Sequence, residues 1–569
     1  MVGDTLAHAT SAELWARLVA AEAALAAERA RADKLAGDYE RLVAAYKQVQ
    51  LELKILRKGI FVASAERVDT SQLEMEFAAK QAELGELAAK LGAAAGETPP
   101  SPPDPAAPPA TPDKPKVKPK GRRDVSELPF AEERHEILDP DLEGKAERIG
   151  FEESYLLGWR KGGPLRVVIA RAKYRDTTAE EGPAIVTAPL PPRTFARSLA
   201  APSLLAKIIT DKYGDGLPLY RQEDRFAREG LDLDRGTMCR WIEDAGMTAG
   251  CLVLAAKADA FATAFCISTD ATGIGIQPEP LDNKARQPCR RGHFFVMVAD
   301  RDHVLFDYVP RETSAAVSEL FHGYTGYVQA DAKNTYDVLF EKPNPALESA
   351  DDELRHEVGC WSHGRRRFYE AAIGKDRIAR EGLWRIHKLF ELEKTWKDLP
   401  PAKRKALRDL HTRPLLDAFF AWAEAEYAKV KTTRGLLRSA LGYVVRQQGA
   451  LRRFLDDGRL RMDNNISERE LRRIAVGRKA WLFVGSDDHA QATANLFTLI
   501  ASCKLHGLDP ELYLRDVFRL LVHWPRDRYL ELTPRYWAKT RTRLDPRELE
   551  LPLGRLTVPE TAAEQAAAG

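Results

Sequence analysis

The sequence predicts a multidomain protein built around an α/β core, with helical modules ahead of the core and inside it. Three observations carry this. Residues 262–370 alternate strand-like apolar runs with turns and one short helix. Residues 375–460 are helical in pattern, and residues 11–61 carry a heptad repeat. At 569 residues the chain has room for about three to four ordinary domains. Apolar residues make up 44% and charged residues 30%, so the chain can bury cores and is not globally disordered. Lysine and arginine number 86 against 84 acidic residues. That balance excludes a uniformly basic, histone-like protein but leaves room for a local basic face. The six cysteines, at 239, 251, 266, 289, 360 and 503, form no Cys-x-x-Cys pair. Reduced thiols in a cytosol are therefore expected, rather than a disulfide framework or a zinc ribbon. No uncharged apolar run of about 18 residues exists, so no membrane span is expected. Asp4 and Glu13, without a basic stretch before an apolar one, do not read as a signal peptide.

Positions 14, 18, 21, 25, 28, 32, 35, 39, 42, 46, 49, 53, 56 and 60 are apolar except for Glu28. Spacings alternating between three and four keep one narrow stripe facing a partner helix, so a coiled coil over 11–61 is expected to join protomers into a homo-oligomer. A single amphipathic helix folded onto its own protein is the plainer alternative. Residues 98–123 form a linker. Eight prolines stiffen its first part, and Lys114, Lys116, Lys118, Lys120, Arg122 and Arg123 close it. Residues 124–200 read as a small domain with strand-like pieces such as Leu165–Ile169. Residues 203–246 read as a helix-turn-helix. One helix runs from Leu219 to Glu229 and stops at Gly230, Asp234 caps the next, and that helix presents Arg235 and Arg240. Many two-helix corners bind nothing, so this pattern alone is weak.

In the core, Phe265–Thr269 forms a first strand leading into Asp270. His293–Ala299 and His303–Val309 follow as a second and third, joined by the turn Asp300-Arg301-Asp302. A helix spans Thr313–Phe321, a fourth strand Tyr327–Ala330 ends at Asp331, and Glu357–Trp361 can be a fifth. Three meandering strands, a helix, then a further strand is the order of a ribonuclease-H-like fold. In such a sheet the first and fourth strands are neighbours, so Asp270 and Asp331, each at a strand end and 61 residues apart, converge on one edge. A helix beyond the fifth strand should supply a third carboxylate, for which Glu468 stands 137 residues further on. That gap is too long for one crossover helix. It is filled by an all-α insertion over 375–460, with Leu383, Ile386, Leu389 and Phe390 on one face and then Leu415, Leu416, Phe419 and Phe420. The catalytic core then comprises 262–370 and 461–525, and the tail over 545–569 reads as weakly ordered.

Phosphodiester cleavage needs an activated nucleophile and a stabilised leaving oxygen, which two divalent ions about 4 Å apart can provide together. Hard carboxylate oxygens suit Mg2+ or Mn2+. Without such ions, three converging carboxylates would repel one another. Each acid taken alone reads more readily as a solvated residue at a strand or helix end.

The chain resembles transposases of the insertion-sequence-66 family. The matching segments stand in family order: Leu217–Gln222 (LPLYRQ), Val328–Asp331 (VQAD), Cys360–Phe368 (CWSHGRRRF), Asp463–Arg469 (DNNISER), Gly477–Phe483 (GRKAWLF) and Cys503–Pro510 (CKLHGLDP). They span about residues 200–540. The resemblance implies that Asp270, Asp331 and Glu468 are an Asp-Asp-Glu catalytic triad binding two Mg2+ or Mn2+ ions. It implies terminal inverted repeats and target DNA as partners, with accessory proteins of the same element. Three departures stand out. The family's usual zinc-binding cysteines are missing from about 137–185, so no zinc is expected. Ala332 replaces a common Gly, and His489-Ala490 replaces a Gly pair. Arg365, Arg366, Arg478 and Lys479 flank the site and are expected to meet phosphates, with Arg367, Arg472 and Arg473 beside them. Trp481 is either a stacking platform for an unpaired base or core, and Phe483 reads as core. His363 would contact the scissile phosphate, move a proton or make a structural hydrogen bond. Asp463, Asn464 and Asn465 would support the acids. Two alternatives differ in what they lack: a domesticated DNA-binding protein would lack activity, and a nuclease on the same fold would lack strand joining. If the heptads pair protomers, Leu35→Asp with Leu42→Asp reduces the sedimentation coefficient to that of a monomer. An unchanged profile would show that they pack internally.

Overall fold

The computed structural model describes residues 28, 31, 38, 42, 46, 78–79, 81–90, 128, 130–160, 162–175, 185–278, 287–340, 355–373, 376–432, 434–554 and 556–560. The chain divides into two units, Met1–Gly121 and Arg122–Gly569. In the first, the described residues are helical, among them Glu28, Leu42 and Tyr46 of the heptad stripe. The other positions of the heptad stripe and all of the 98–123 linker lie outside the described residues.

The second unit opens with a four-stranded sheet: β1 (Ala131–Ile137), β2 (Glu147–Arg160), β3 (Gly163–Arg175) and β4 (Ile185–Thr187). β3 is central, parallel to β1 and antiparallel to β2 and β4. It earns that place by composition, since Leu165, Val167, Val168, Ile169, Ala170, Ala172 and Tyr174 are all buried. The small domain therefore holds itself together by apolar packing on a long hairpin.

Helices α1 (Pro202–Ile209), α2 (Leu219–Arg228), α3 (Arg235–Thr248) and α4 (Gly250–Thr263) follow. The local chemistry matches the sequence reading. Gly230 takes φ +81° after α2, and the Asp234 carboxylate accepts from the Thr237 amide at the start of α3. The stretch Arg235–Thr263 is long and apolar enough to cross a membrane. Here Met238, Ile242, Ala245, Leu252 and Val253 pack into the main core of this unit.

The second sheet has six strands: β5 (Cys266–Ile276), β6 (Arg290–Ala299), β7 (His303–Val309), β8 (Tyr327–Gln329), β9 (His356–Val358) and β10 (Phe483–Val484). Their order is β7-β6-β5-β8-β9, with β10 also on β5. β5, β6 and β7 form an antiparallel meander, while β8, β9 and β10 run parallel to their neighbours. The predicted turn Asp300-Arg301-Asp302 is present. Asp300 takes φ +49°, and its carboxylate accepts from the amides of Phe265 and Cys266, pinning the start of β5. Two boundaries differ from expectation. Asp270 does not end the first strand, because pairing with β6 carries β5 on to Ile276. The helix after the meander is α5 (Ser314–Leu320); the fifth strand stops at Val358, and Trp361 opens helix α6 (Trp361–Ile373).

The predicted helical stretch contains α7 (Arg377–Thr395), α8 (Arg413–Val430) and α9 (Leu436–Arg446) around an aromatic core of Trp361, Phe368, Phe419 and Phe420. Leu415 points out of that core and is exposed. Arg408, fully buried, closes this layer. Its guanidinium pairs with both carboxylate oxygens of Glu393 at 2.8 and 2.7 Å and donates to the carbonyls of Phe454, Asp457 and Leu460.

Helix α10 (Asn465–Trp481) leads to α11 (Asp487–Leu505), which is buried along almost its whole length. α11 lies along β7, whose outer edge would otherwise expose unpaired backbone. Thr498 Oγ1 accepts from the Phe306 amide at 2.7 Å. Ser502 Oγ accepts from the Val304 amide and donates to the Val304 carbonyl. Against α3 the fit is tight enough to require Gly246, where a Cβ would stand 2.4 Å from the Ala492 carbonyl oxygen. His489 is buried between α11 and α3, beside Cys239 and Glu243. Burial opposes its charge, yet Cys239 and Glu243 push its pKa up to about 9. Within the 545–569 tail, Leu549, Leu553 and Leu556 are buried, because these apolar side chains complete the cores of this unit, while residues 561–569 lie outside the described residues.

Arg408→Met leaves the Glu393 carboxylate and three carbonyls without their cation. It should cost about 3–5 kcal/mol in urea-induced unfolding. A loss below about 1 kcal/mol would show that the guanidinium network is dispensable.

Candidate active site

The site is set by strand register. Cys266 pairs with Tyr327, Ile267 with Val328 and Ser268 with Gln329, an offset of 61 at every pair. Asp270 and Asp331 are separated by the same 61 residues, so each stands two positions beyond the last pair, at one level of two parallel neighbours. Both carboxylates accept from the amide of the following residue, Ala271 at 2.7 Å and Ala332 at 2.8 Å.

β8 stops at Gln329 and β10 does not reach β5 until Gly275, which leaves a gap beside β5. Helix α10 fills it. Asn464, fully buried ahead of the helix, donates from Nδ2 to the Thr269 carbonyl at 2.7 Å. Arg478, near the other end, donates to the Gly273 carbonyl at 2.6 Å and to Thr272 Oγ1 at 3.1 Å. Asn464 is itself held, since its amide donates to Cys360 Sγ and its Oδ1 accepts from Ser467. Asp463 Oδ1 accepts from the Asn465 amide. Buried polar groups satisfied on both sides fix geometry as well as stability.

This docking brings Glu468, in the first turn of α10, to the strand carboxylates. His363, from the first turn of α6, stands between them. Its Nδ1 is 3.7 Å from Asp331 Oδ1 and its Nε2 is 3.6 Å from Glu468 Oε1. These separations are longer than hydrogen bonds, so the imidazole is an electrostatic neighbour of both acids. Burial pushes the Asp270 carboxyl above its usual range. The Ala271 amide and the charges of His363 and Lys333 oppose that shift, and Glu468 adds to it. Tyr336 was not flagged by any sequence motif. It is buried beneath the site, where desolvation and then Asp270 push its hydroxyl up.

The remaining expected residues separate into two groups. Arg235, Arg240, Arg365, Arg366 and Lys479 are exposed. Arg240 donates to Thr237 Oγ1, and Arg366 pairs with Glu370 one turn along its helix. Arg478 serves instead to dock α10, because its guanidinium reaches the free carbonyl of β5. Trp481 is half-buried against the main core and lies over Gly477, where a Cβ would stand 2.8 Å from its ring nitrogen. Phe483 is not core: it is 44% exposed, because β10 is two residues long and turns only Val484 inward.

The donor set is all hard oxygen, and Asp270 is a desolvated carboxyl whose burial outweighs the opposing Ala271 amide and the charges of His363 and Lys333. Both properties fit a divalent cation. Among the described residues, no group of three His, Cys, Asp or Glu side chains is closed tightly enough to hold an ion without rearrangement.

Comparison with known proteins places these observations. Residues 197–492 match the profile of the Transposase IS66 family, and residues 498–535 match its IS66 C-terminal element. Two relatives come from Sinorhizobium fredii (strain NBRC 101917 / NGR234). Uncharacterized protein y4qI is 28% identical over 536 residues, covering 90% of this chain and 94% of its own length. Uncharacterized protein y4hP is 29% identical over 397 residues, covering 66% and 69%. The class so defined is a nucleotidyl-transfer enzyme of the DDE type, which acts on DNA and generally uses a divalent metal. The chain belongs to the IS66 family of transposases, the proteins of mobile elements.

Two predictions follow from the geometry. Asn464→Ala removes the link between α10 and β5 and should cost about 1–3 kcal/mol in chemical unfolding. An unchanged midpoint would mean that the helix docks without it. A carboxyl whose folded pKa is raised opposes folding when ionised; the penalty is present at neutral pH and fades as pH falls through the folded value. In chelator-treated protein, Asp270→Asn should therefore melt above the wild type at pH 7, with the gap closing towards acid pH. Equal melting at pH 7 would show that the charge is compensated.

Proposed function

We propose that this transposase cleaves a DNA strand at the ends of its element and joins the freed 3′-hydroxyl to target DNA, with Asp270, Asp331 and Glu468 as the catalytic carboxylates. The single observation that carries the reading is the shared register of Asp270 and Asp331 on adjacent parallel strands, with Glu468 brought to them by α10. The sheet order, with a three-stranded antiparallel meander and two parallel strands beyond β5, supports a ribonuclease-H-like core interrupted by a helical insertion.

The three carboxylates are the residues that would hold two Mg2+ or Mn2+ ions, which supply an activated water and stabilise the leaving oxygen. The burial of Asp270 excludes water from one side of the site and strengthens its attraction for cations. His363, beside Asp331 and Glu468, either orients those two carboxylates or carries a proton at Nε2 or Nδ1 during transfer. No serine or tyrosine nucleophile is invoked, because the attacking groups are water and then a DNA hydroxyl.

Arg365, Arg366 and Lys479, which are exposed, would meet phosphates near the site. The α2–turn–α3 corner, with exposed Arg235 and Arg240, is the element that would read terminal inverted repeats. The apolar face of α3 is committed to the core, which leaves its other side for DNA. The N-terminal heptads would join protomers so that two ends are held together. Accessory proteins of the same element are expected partners, zinc is not expected as a cofactor, and the cytoplasm is the expected compartment.

Purified protein should form strand-transfer products from DNA bearing the element's ends in the presence of Mg2+ or Mn2+. Asp270→Asn, Asp331→Asn and Glu468→Gln should each lower the rate at least about 1,000-fold while sparing DNA binding. Retained cleavage in any one removes that residue from the triad. Cleavage without joining would favour a nuclease, and binding without cleavage in the wild type would favour a domesticated DNA-binding protein.

A further inference from the structure

Helix α10 carries more than the catalytic glutamate. Along its neighbouring face stand Arg469, Arg472, Arg473 and Val476, at the spacings that align side chains on one stripe. Opposite this stripe is the wide turn Thr210–Gly214, which closes α1. Lys504 ties that turn to α11 by donating to the Gly214 carbonyl at 2.9 Å. Between the turn and α10 lies a groove of about 310 Å3, lined by Lys212, Tyr213 and the arginine stripe.

The charge in this groove is poorly balanced. Arg473 is paired with Glu470 at 2.8 Å. Lys212, Arg469 and Arg472 have no carboxylate within ion-pair distance among the described residues. Lys212 is nearly buried, with its ammonium 5.0 Å from the Tyr213 ring. Asp215, at the lip, is the acid that lines the groove. Burial and then the charge of Arg473 hold the Lys504 ammonium below its usual range, against the opposing charges of Asp215 and Glu470. Cations held together in a concavity repel one another, and a polyanion relieves that repulsion while releasing its counterions.

The position gives the groove a direction. Arg472 follows Glu468 by about one helical turn, a rise of about 6 Å, so the groove runs along α10 from the turn next to that acid. We propose that the groove between the Lys212–Gly216 turn and α10 seats backbone phosphates of DNA on their approach to Glu468. The inference rests on Glu468 being a catalytic residue only for its direction. The binding surface itself rests on the groove and its unpaired cations.

Arg469 and Arg472 are exposed, so Arg469→Gln with Arg472→Gln leaves the fold intact, which a thermal melt verifies. Lys394→Gln with Lys403→Gln, exposed on the helical insertion, is the control with the same change in net charge. Affinity for a short labelled random-sequence duplex is measured by fluorescence anisotropy over a range of salt concentrations. At about 0.9 per phosphate contact, the slope of log affinity against log salt should become shallower by about 1.8 in the arginine variant and stay unchanged in the control. An unchanged slope in the arginine variant, an equal change in the control, or no duplex binding by the wild type overturns the proposal. Wild-type protein that binds with the expected slope difference but never cuts DNA would overturn the transposase chemistry and leave the groove standing.

Discussion

The hydrogen bond from Asn464 Nδ2 to the Thr269 carbonyl is the joint on which the site turns. On the side away from β6, β5 has no strand beside it between the end of β8 and the start of β10, and a central strand cannot leave its carbonyls bare in a protein interior. Asn464 takes one of them and Arg478 another, from opposite ends of the same helix. The need to satisfy that exposed backbone is thus what lays α10 across the sheet. Glu468 reaches the aspartates because it lies between those two anchors. Backbone satisfaction and the assembly of the carboxylates are one event.

Much of the core was readable before any coordinates. The 61-residue spacing of the aspartates equals the register offset of their strands, so reading the first and fourth strands correctly placed the acids correctly. The turn at Asp300, the stop at Gly230 and the cap at Asp234 follow local rules that act within a few residues. What stayed hidden depends on partners far away in the chain. Arg478 reads as a surface cation until the gap beside β5 is known. Phe483 reads as core until β10 proves to be two residues long. Arg408 sits in an ordinary basic helix, and nothing local announces that its guanidinium closes a layer. The hydroxyls of Thr498 and Ser502 look like neutral helix positions until the bare edge of β7 lies beside them. The heptads remain a statement of the sequence, since few of their positions are described.

Charge placement separates the two faces of α10. On one side, Asp270 is a desolvated carboxylate beside other acids, a costly arrangement that favours cations. On the other, solvated arginines and a nearly buried lysine form a cationic arrangement that favours anions. Neither helps the isolated protein fold. Each makes sense as energy stored against the charge of something that binds, and they are separated by a single helical turn.

The long insertion also orders events in time. Asp270 and Asp331 leave the ribosome well before Glu468, and α11, which seals the edge of β7, comes later still. At about 5–20 residues per second, translating the 137 residues between Asp331 and Glu468 takes on the order of ten seconds. Throughout that interval the nascent chain holds two acids without the third. On the proposed reading, a centre that would cut DNA stays incomplete while the chain is being made, because its third carboxylate is supplied by the last third of the sequence.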